Sequence, residues 1–255
     1  MVKAGFVEWP DGLTPFGAEW DAIRRAIESD PPAVLITNEM PFGDWIAASA
    51  FDPAAADRCV ALHEEGLAAL AGLGISAILS SRPIWQGERL VNEAFVLLEG
   101  KPHPLHQKRY FPAEPGWYES DWFVTGKNEF AVRPIAGLET GVLLCTEVMF
   151  NQHAREYGEA KADLIAVPRA TGEDHGLWRT ACSMAAIVSG SYVISSNRSG
   201  RGSGGPDFGG CGMAFAPDGS LIAETSSARP YRTVELDAAW SRRQKSEYPC
   251  YVKRP

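Results

Sequence analysis

The chain has 255 residues, of which 45% are hydrophobic and 22% charged, as in an ordinary globular protein long enough to bury a sizeable core. Its formal net charge of -8 and the lack of any basic cluster argue against nucleic acid or an anionic membrane as a partner. Five scattered cysteines, never spaced as Cys-x-x-Cys, predict reduced thiols in a cytoplasmic protein rather than disulfides or a zinc site. No apolar run reaches the length of a signal peptide or a membrane span, and the chain length predicts a single domain over residues 1–255.

Strand-like and helix-like segments alternate along the chain. Residues 2–9 predict a strand, and Thr14-Pro15 then predicts the start of a helix, with an N-cap followed by proline at the first helical position. After a second strand at 33–37, Asp52-Pro53 repeats this signal ahead of a helix over 54–73. Strands and helices in alternation predict sheets that are covered by helices. The other predicted strands are 75–80, 91–98, 141–145, 163–167, 191–196, 212–216, 221–224 and 233–236, and the other predicted helices are 151–161 and 177–189.

A thiol, Cys145, stands where the predicted strand 141–145 ends. Open α/β sheets place their chemistry at the carboxyl ends of strands, so this position favours a functional cysteine. Taken singly, a structural role is the more frequent one, because free cysteine is among the most buried residue types. The prediction of a nucleophile therefore depends on which other groups accompany Cys145.

Two charged residues accompany it. Glu39 directly follows the strand at 33–37, and burial beside the core would raise the pKa of its carboxyl, as suits a general base. Lys108 is followed by an aromatic stretch that includes Trp117 and Tyr118, which favours a pocket lining although most lysines are solvated. A carboxylate, an ammonium and a thiol are together the groups for acyl transfer through a thioester.

The segments that carry these groups resemble the nitrilase superfamily, the carbon–nitrogen hydrolases with a Glu-Lys-Cys catalytic set. Three positions depart from the family pattern. Asn38 stands where proline often precedes the glutamate, Asn151-Gln152 stands where Pro-Glu is common, and Thr146 stands where true nitrilases have tryptophan. The similar stretches follow the family's order through nearly the whole chain, at 36–42, 106–110, 115–120, 141–147, 162–168, 178–179, 192–200 and 212–219.

The resemblance implies a four-layer α-β-β-α sandwich, no cofactor, no metal, and a homodimer or higher homo-oligomer. It implies that Glu39 is the general base and that Cys145 is the nucleophile. It also implies that Lys108 holds the oxyanion together with the backbone N–H of Thr146.

The family usually has a second glutamate beside the lysine. Glu119 fits this position, eleven residues after Lys108, and Glu114 is the fallback. Trp117 and Tyr118 would hold a flat amide in a narrow aromatic pocket.

The function implied is cysteine-dependent hydrolysis of a non-peptide carbon–nitrogen bond, most simply that of a small-molecule linear amide, with release of ammonia or an amine. A nitrilase, an acyl-transferring amidase and an N-carbamoyl amide hydrolase are the alternatives with related chemistry. His153 and His175 leave open a papain-like Cys-His arrangement, and a non-catalytic relative retained for binding is a further alternative. The aromatic segment 248–251 is a candidate for packing across a dimer interface or back onto its own chain.

Overall fold

A computed structural model describes residues 1–126, 130–201 and 205–252 of the chain. Its strands are β1 (Val2–Pro10), β2 (Val34–Ile36), β3 (Ala77–Gln86), β4 (Arg89–Leu98), β5 (Lys101–Gln107), β6 (Arg133–Ile135), β7 (Leu138–Val142), β8 (Leu164–Pro168), β9 (Tyr192–Arg201), β10 (Asp207–Gly209), β11 (Met213–Phe215), β12 (Leu221–Glu224) and β13 (Tyr231–Leu236). Its helices are α1 (Ala18–Ser29), α2 (Pro53–Ala71), α3 (Glu119–Trp122), α4 (Asn151–Glu159), α5 (His175–Ser189) and α6 (Ala238–Gln244), with 3-10 turns at Ile46–Ala48 and Cys145–Met149. None of these helices combines the length and the hydropathy that a membrane crossing requires.

Two sheets meet along a seam formed by β1 and β9. The strands follow the order β5-β4-β3-β2-β1-β9-β8-β7-β6. Residues 4–6 of β1 pair with β2 in one sheet, whereas residues 8–10 of β1 pair with residues 197–199 of β9 in the other. The β1–β9, β1–β2 and β8–β9 pairs are all parallel. The carboxyl ends of the parallel strands of both sheets therefore lie at the same end of the molecule.

Helices cover the outer face of each sheet, and apolar side chains fill the space between the sheets. In β8, Leu164 and Ala166 belong to the core between the sheets, while Ile165 and Val167 pack against α4 and α5. On the other sheet, Leu35 of β2 packs outward against α1 and α2. The four-layer α-β-β-α sandwich that the family resemblance implied is thus confirmed.

The two predicted helix starts have different outcomes. α2 begins as predicted, with the Asp52 carboxylate accepting a hydrogen bond from its first turn. The start at Thr14 is wrong, because α1 begins at Ala18, after a turn in which the Gly17 N–H donates to the Thr14 carbonyl oxygen. Phe16 has a φ of 60°, and this left-handed conformation cannot continue into a right-handed helix.

β5 is absent from the predicted elements because Pro102 and Pro104 interrupt its sequence. It lies at the edge of its sheet, where it pairs with β4. An edge strand tolerates proline, since an N–H that faces away from the sheet is not needed for pairing. The strand matters for function because it ends directly before Lys108.

The C-terminal residues 248–251 pack partly onto their own chain. The Cys250 thiol lies 3.3 Å from the carbonyl oxygen of Ile187 in α5, while the rings of Tyr248 and Tyr251 are exposed. A role of this segment between two copies of the chain stays a prediction.

Candidate active site

The predicted catalytic side chains stand where strands of the two sheets end. Glu39 follows β2, Lys108 follows β5, Glu119 begins α3, and Cys145 begins the 3-10 turn after β7. The first three are fully buried, and Cys145 is 3% exposed. Because both sheets have the carboxyl ends of their parallel strands on the same side, groups that are far apart in the sequence converge there.

The Lys108 ammonium lies between two carboxylates. Its Nζ donates to Glu39 Oε1 at 2.8 Å and to Glu119 Oε2 at 2.5 Å. Asn92 in β4, which the sequence analysis did not single out, donates from Nδ2 to Glu39 Oε1 at 2.8 Å. The other oxygens, Glu39 Oε2 and Glu119 Oε1, are buried and have no hydrogen-bond partner in the part of the chain that the structure describes. In each carboxylate, one oxygen is therefore fixed by hydrogen bonds, and the other can accept a proton or a hydrogen bond from a bound molecule.

Burial sets the resting charge of these groups. It raises the pKa of the Cys145 thiol, and the Glu39 carboxylate raises this pKa further, while Lys108 opposes both. Burial by itself would lower the pKa of Lys108, but Glu119 and Glu39 outweigh it, so the pKa is raised and Lys108 stays an ammonium. Burial also raises the pKa of Glu119, against the lowering effect of Lys108. The thiol is therefore protonated at rest and requires a base at the moment of attack.

Cys145 occupies an unusual backbone position. Its φ is 50°, in the left-handed region that a residue with a side chain rarely adopts. Its Sγ lies 3.8 Å from the carbonyl oxygen of Ala170, in the loop that follows β8. Strain of this kind persists only where the surroundings impose it, and it is concentrated at functional sites.

Glu147, a buried acid that the sequence analysis did not single out, holds this turn in place. Its Oε2 accepts hydrogen bonds from the backbone N–H of Leu144 and from His106 Nε2, both at 2.8 Å. Its Oε1 accepts from the backbone N–H of Arg109 at 2.8 Å. Glu147 thereby ties the turn of the nucleophile to the segment of the lysine. The signal that could have revealed it is an acid placed two residues after Cys145, within an otherwise apolar run.

Replacing Glu147 by glutamine is expected to destabilise the fold and slow the reaction. One carboxylate oxygen becomes an amide NH2, which cannot accept from the donors around it, so a buried N–H is left unpaired. We expect the free energy of unfolding to fall by about 2–3 kcal/mol in chemical denaturation, with a parallel fall in kcat/KM. Glu65→Gln, an exposed position on α2, is the control and should stay within about 0.5 kcal/mol of the wild type. Unchanged stability of Glu147→Gln would show that this carboxylate does not hold the turn.

Trp117, a predicted lining residue, belongs to an aromatic cluster next to the catalytic groups. Its ring centroid is 5.8 Å from that of Trp45 and 5.4 Å from that of Phe208. These three rings, which we call the aromatic cluster, pack with Met40, which follows the predicted base, and with Ala170, whose carbonyl contacts the predicted nucleophile. The aromatic cluster therefore provides an apolar surface next to the segments that carry Glu39 and contact Cys145.

The other predicted residues differ in how they are placed. Tyr118 is half-buried, and its backbone N–H donates a hydrogen bond to the carbonyl oxygen of Ala47 at 2.8 Å. Thr146 is half-buried and directly follows the nucleophile. Of the two glutamates that the sequence left open, Glu119 is brought to Lys108, whereas Glu114 is exposed. The oxyanion and substrate contacts of Thr146, Trp117 and Tyr118 stay predictions.

His153 and His175 do not form the papain-like arrangement. His153 Nε2 is hydrogen-bonded to the Tyr110 hydroxyl at 2.8 Å, and His175 Nε2 donates to the carbonyl oxygen of Gly209 at 2.9 Å. The Cys145 thiol is directed at a backbone carbonyl instead.

A cavity of about 480 Å³ opens beside the aromatic cluster. Trp45 belongs to both, whereas the catalytic side chains do not line the cavity. Over residues 1–126, 130–201 and 205–252, no group of three or more His, Cys, Asp or Glu side chains is placed to hold a metal ion. The other residues that line the cavity are Asp11, Phe42, Gly43, Asp44, Ile46, Ala48, Ser49, Asp52, Ala55, Arg58, Cys59, Leu62, Trp122 and Gly205.

The carbon–nitrogen hydrolase family model matches this chain. The match covers residues 59–244, which include Lys108, Glu119 and Cys145 and leave Glu39 outside. The N-carbamoylputrescine amidase of Arabidopsis thaliana is 27% identical over 169 residues, or 59% of this chain and 56% of that protein. The chain thus spans about half the length of the curated N-carbamoylputrescine amidases that it matches.

Solved structures share the fold. A carbon-nitrogen hydrolase from Helicobacter pylori G27 has a TM-score of 0.88 at 19% identity, covering 99% of this chain and 95% of that one. An amidase from Nesterenkonia sp. has a TM-score of 0.76 at 20% identity, covering 96% of this chain and 94% of that one. At these identities the likeness concerns the fold, and the family match carries the assignment. The chain therefore belongs to the carbon–nitrogen hydrolase family, within the nitrilase superfamily that its motifs resemble.

Proposed function

We propose that this enzyme hydrolyses small linear amides through a thioester on Cys145. The observation that carries the proposal is the buried Lys108 ammonium, held between Glu39 and Glu119 beside a thiol. A fixed cation in a site without bulk water is a strong donor for a developing oxyanion, and the unpaired oxygen of Glu39 is suited to act as the base. A solved mutant of the amidase from Nesterenkonia sp. AN1 has the acetamide moiety of fluoroacetamide added covalently at its active site cysteine, which supports a nucleophilic cysteine in this fold.

In the first half of the reaction, Glu39 Oε2 takes the proton of the Cys145 thiol while the sulfur bonds to the amide carbon. Lys108 and the backbone N–H of Thr146 hold the oxyanion, and donors placed in this way typically contribute on the order of 3 kcal/mol each. When the tetrahedral intermediate collapses, the C–N bond breaks and Glu39 gives its proton to the departing ammonia or amine. Glu119 Oε1 accepts a hydrogen bond from the substrate NH2 group and fixes the plane of the amide.

In the second half, water opens the thioester. Glu39 takes a proton from the water as its oxygen bonds to the acyl carbon, and the same donors hold the second oxyanion. The C–S bond then breaks, Cys145 recovers the proton from Glu39, and the carboxylic acid leaves. One carboxylate thus serves in turn as base, acid, base and acid.

The test is an ammonia-release screen over primary amides, carbamoyl compounds and nitriles, with intact-mass detection of an acyl group on Cys145. We expect ammonia from small amides and an adduct that accumulates when hydrolysis is slowed. Hydroxylamine in parallel reactions identifies an acyl-transferring amidase, because the acyl group then goes to this acceptor in preference to water. No labelling of Cys145 by any acyl donor would contradict the proposal and favour a non-catalytic role.

N-carbamoyl amides are a second candidate substrate class, supported by the N-carbamoylputrescine amidases among the relatives. Attack of Cys145 on the carbamoyl carbon would release an amine and leave an S-carbamoyl group, which hydrolyses to carbon dioxide and ammonia. Equal yields of carbon dioxide and ammonia from a carbamoyl amine, exceeding the turnover of simple amides, would establish this class instead.

Amides are expected to react faster than the matching nitriles. An amide NH2 group satisfies Glu119 Oε1, whereas a nitrile has no N–H and leaves this buried acceptor unpaired. Thr146 also stands where true nitrilases have tryptophan. We expect kcat/KM for an amide to exceed that for its nitrile at least about tenfold, which corresponds to ~1.4 kcal/mol of barrier. A preference for the nitrile in this comparison would move the enzyme to the nitrilase class.

A further inference from the structure

Arg169, the first residue after β8, is a fully buried cation with neutral partners. Its Nε donates to Ser195 Oγ at 2.5 Å, its Nη1 to Thr171 Oγ1 at 2.8 Å, and its Nη2 to the carbonyl oxygen of Cys211 at 2.8 Å. The guanidinium carbon also lies 5.2 Å from the centroid of the Trp178 ring. In the described part of the chain, no carboxylate forms an ion pair with Arg169. A buried charge without a counter-charge is strongly unfavourable, so this arrangement calls for an explanation.

A second buried arginine shows the usual solution. Arg198 in β9 forms an ion pair with Asp11 and donates to the carbonyl oxygens of Met40 and Gly43. Its charge is therefore compensated within its own surroundings. Arg169 has the same degree of burial and lacks such a partner.

The negative charge that Arg169 lacks can form at the candidate active site. Glu39 and Glu119 share the single ammonium of Lys108. Burial raises the pKa of Glu119 to about 7, so one carboxylate charge is left uncompensated above that pH. The backbone of Arg169 touches this site, because its carbonyl oxygen accepts from the Glu39 N–H at 3.1 Å. The next carbonyl oxygen along the chain, that of Ala170, is the one that lies 3.8 Å from the nucleophile.

We propose that Arg169 is a positioning residue for the proposed amide hydrolysis. It fixes residues 169–171 against Glu39 and Cys145, and it supplies a second buried positive charge that favours the thiolate form of Cys145. This inference rests on the proposed function, since it requires Cys145 to be the nucleophile. Burial lowers the pKa of Arg169, and negative charge on Cys182, Cys145 or Cys211 raises it.

Other charged and titratable groups surround Cys145 and Arg169, and a measurement has to separate their effects from that of the Arg169 charge. Three charged residues act on Cys145, namely Lys108, Glu39 and Glu119. Glu147 lies in the same 3-10 turn as Cys145. Cys182 of α5 and Cys211 face Arg169. Removing the Arg169 charge makes it harder to form the Cys145 thiolate, so the ionisation of this thiol moves to higher pH.

The experiment compares Arg169→Met, Arg169→Gln and Arg169→Lys with the wild type by the pH dependence of Cys145 alkylation with iodoacetamide, followed by peptide mass. Alkylation needs no knowledge of the substrate, and the pH dependence of kcat/KM for the best amide of the screen is the second readout. We expect the midpoint of alkylation, and the acid limb of kcat/KM, to move up by about 1 pH unit or more in Arg169→Met and Arg169→Gln. Arg169→Lys places an ammonium at this position, and because burial lowers an ammonium pKa, we expect its midpoint to lie between those of the wild type and the neutral variants.

Ser195→Ala is the matched control, because it removes one anchor of the guanidinium and keeps its charge. It should change the midpoint by less than about 0.5 unit, even if stability falls. A wild-type midpoint in folded Arg169→Met or Arg169→Gln would overturn the proposal, as would an equal shift in Ser195→Ala. If neither neutral variant folds, Arg169→Lys decides, and a midpoint below that of the wild type overturns the proposal, because weakening a positive charge beside a thiol cannot lower the pKa of the thiol. Failure of wild-type Cys145 to react in preference to the other thiols would instead overturn the proposed function, and this inference with it.

Discussion

Replacing Cys145 by alanine is expected to abolish turnover and leave the fold intact. Sulfur is the atom that carries the acyl group in the proposed route, so no other group can take over its part. We expect kcat to fall by at least about 10⁴-fold, as when a nucleophile is removed from other covalent hydrolases. Steady-state ammonia release measures the rate, and intact mass should show no adduct on the variant.

Other thiols of the chain supply the controls. Cys59 is buried in α2 and Cys250 is half-buried near the C terminus, and alanine at either position should keep activity. Burial raises the pKa of the Cys59 thiol to about 12, so this thiol is protonated near neutral pH, and Glu39, which acts on Cys145, is not among the groups that act on Cys59. Appreciable turnover by Cys145→Ala would rule out the covalent route.

Glu39→Gln and Lys108→Met are expected to be non-additive in both rate and stability. When groups act as one catalytic unit, removing any one of them abolishes most of the rate enhancement that the others provide. The double variant should therefore be little slower than the slower of the two single variants. Lys108→Met leaves two buried carboxylates facing each other, which should lower the free energy of unfolding by about 3–5 kcal/mol. Adding Glu39→Gln removes one of these charges and should restore part of that loss. The measurements are kcat/KM and denaturant unfolding of the two single variants and the double variant.

The matched control for this cycle is Lys101→Met. Lys101 is exposed at the start of β5, the same strand that ends before Lys108, and its replacement should change neither rate nor stability measurably. Fully additive losses of rate for Glu39 and Lys108 would show that the two residues perform separate tasks.

Part of the candidate site was predictable because some of its residues directly follow strands that the sequence shows as uninterrupted apolar runs. Glu39 and Cys145 come at the end of short apolar runs, and such runs mark buried strands whose carboxyl ends converge. Lys108 was predictable from the aromatic stretch that follows it and from the family motif, since β5 contains two prolines and gives no strand pattern. The catalytic roles of these residues stay predictions until the variants are measured.

Other parts of the molecule depend on contacts that sequence spacing does not reveal. Asn92 lies in the middle of β4, and nothing in its local sequence says that its amide meets Glu39. Glu147 and Arg169 are charged residues that the fold encloses, although most such residues are solvated. The start of α1 was missed because Phe16 takes a left-handed conformation that no propensity favours. In each case the tertiary structure overrides the local preference.

The seam between the two sheets bears on how such an enzyme can change over generations. One sheet leads to Glu39 and Lys108, and the other leads to Cys145, so the small side chains between the sheets act as a spacer that sets the distance between these residues. Ala94, Ala166 and Ala214 belong to this layer. A bulkier residue there would shift the reacting groups relative to each other, and a displacement of about 1 Å can slow an enzyme 10²-fold. Selection for activity therefore also constrains residues that do not contact the substrate. The loops can vary in sequence as long as the side chains between the sheets keep the same size.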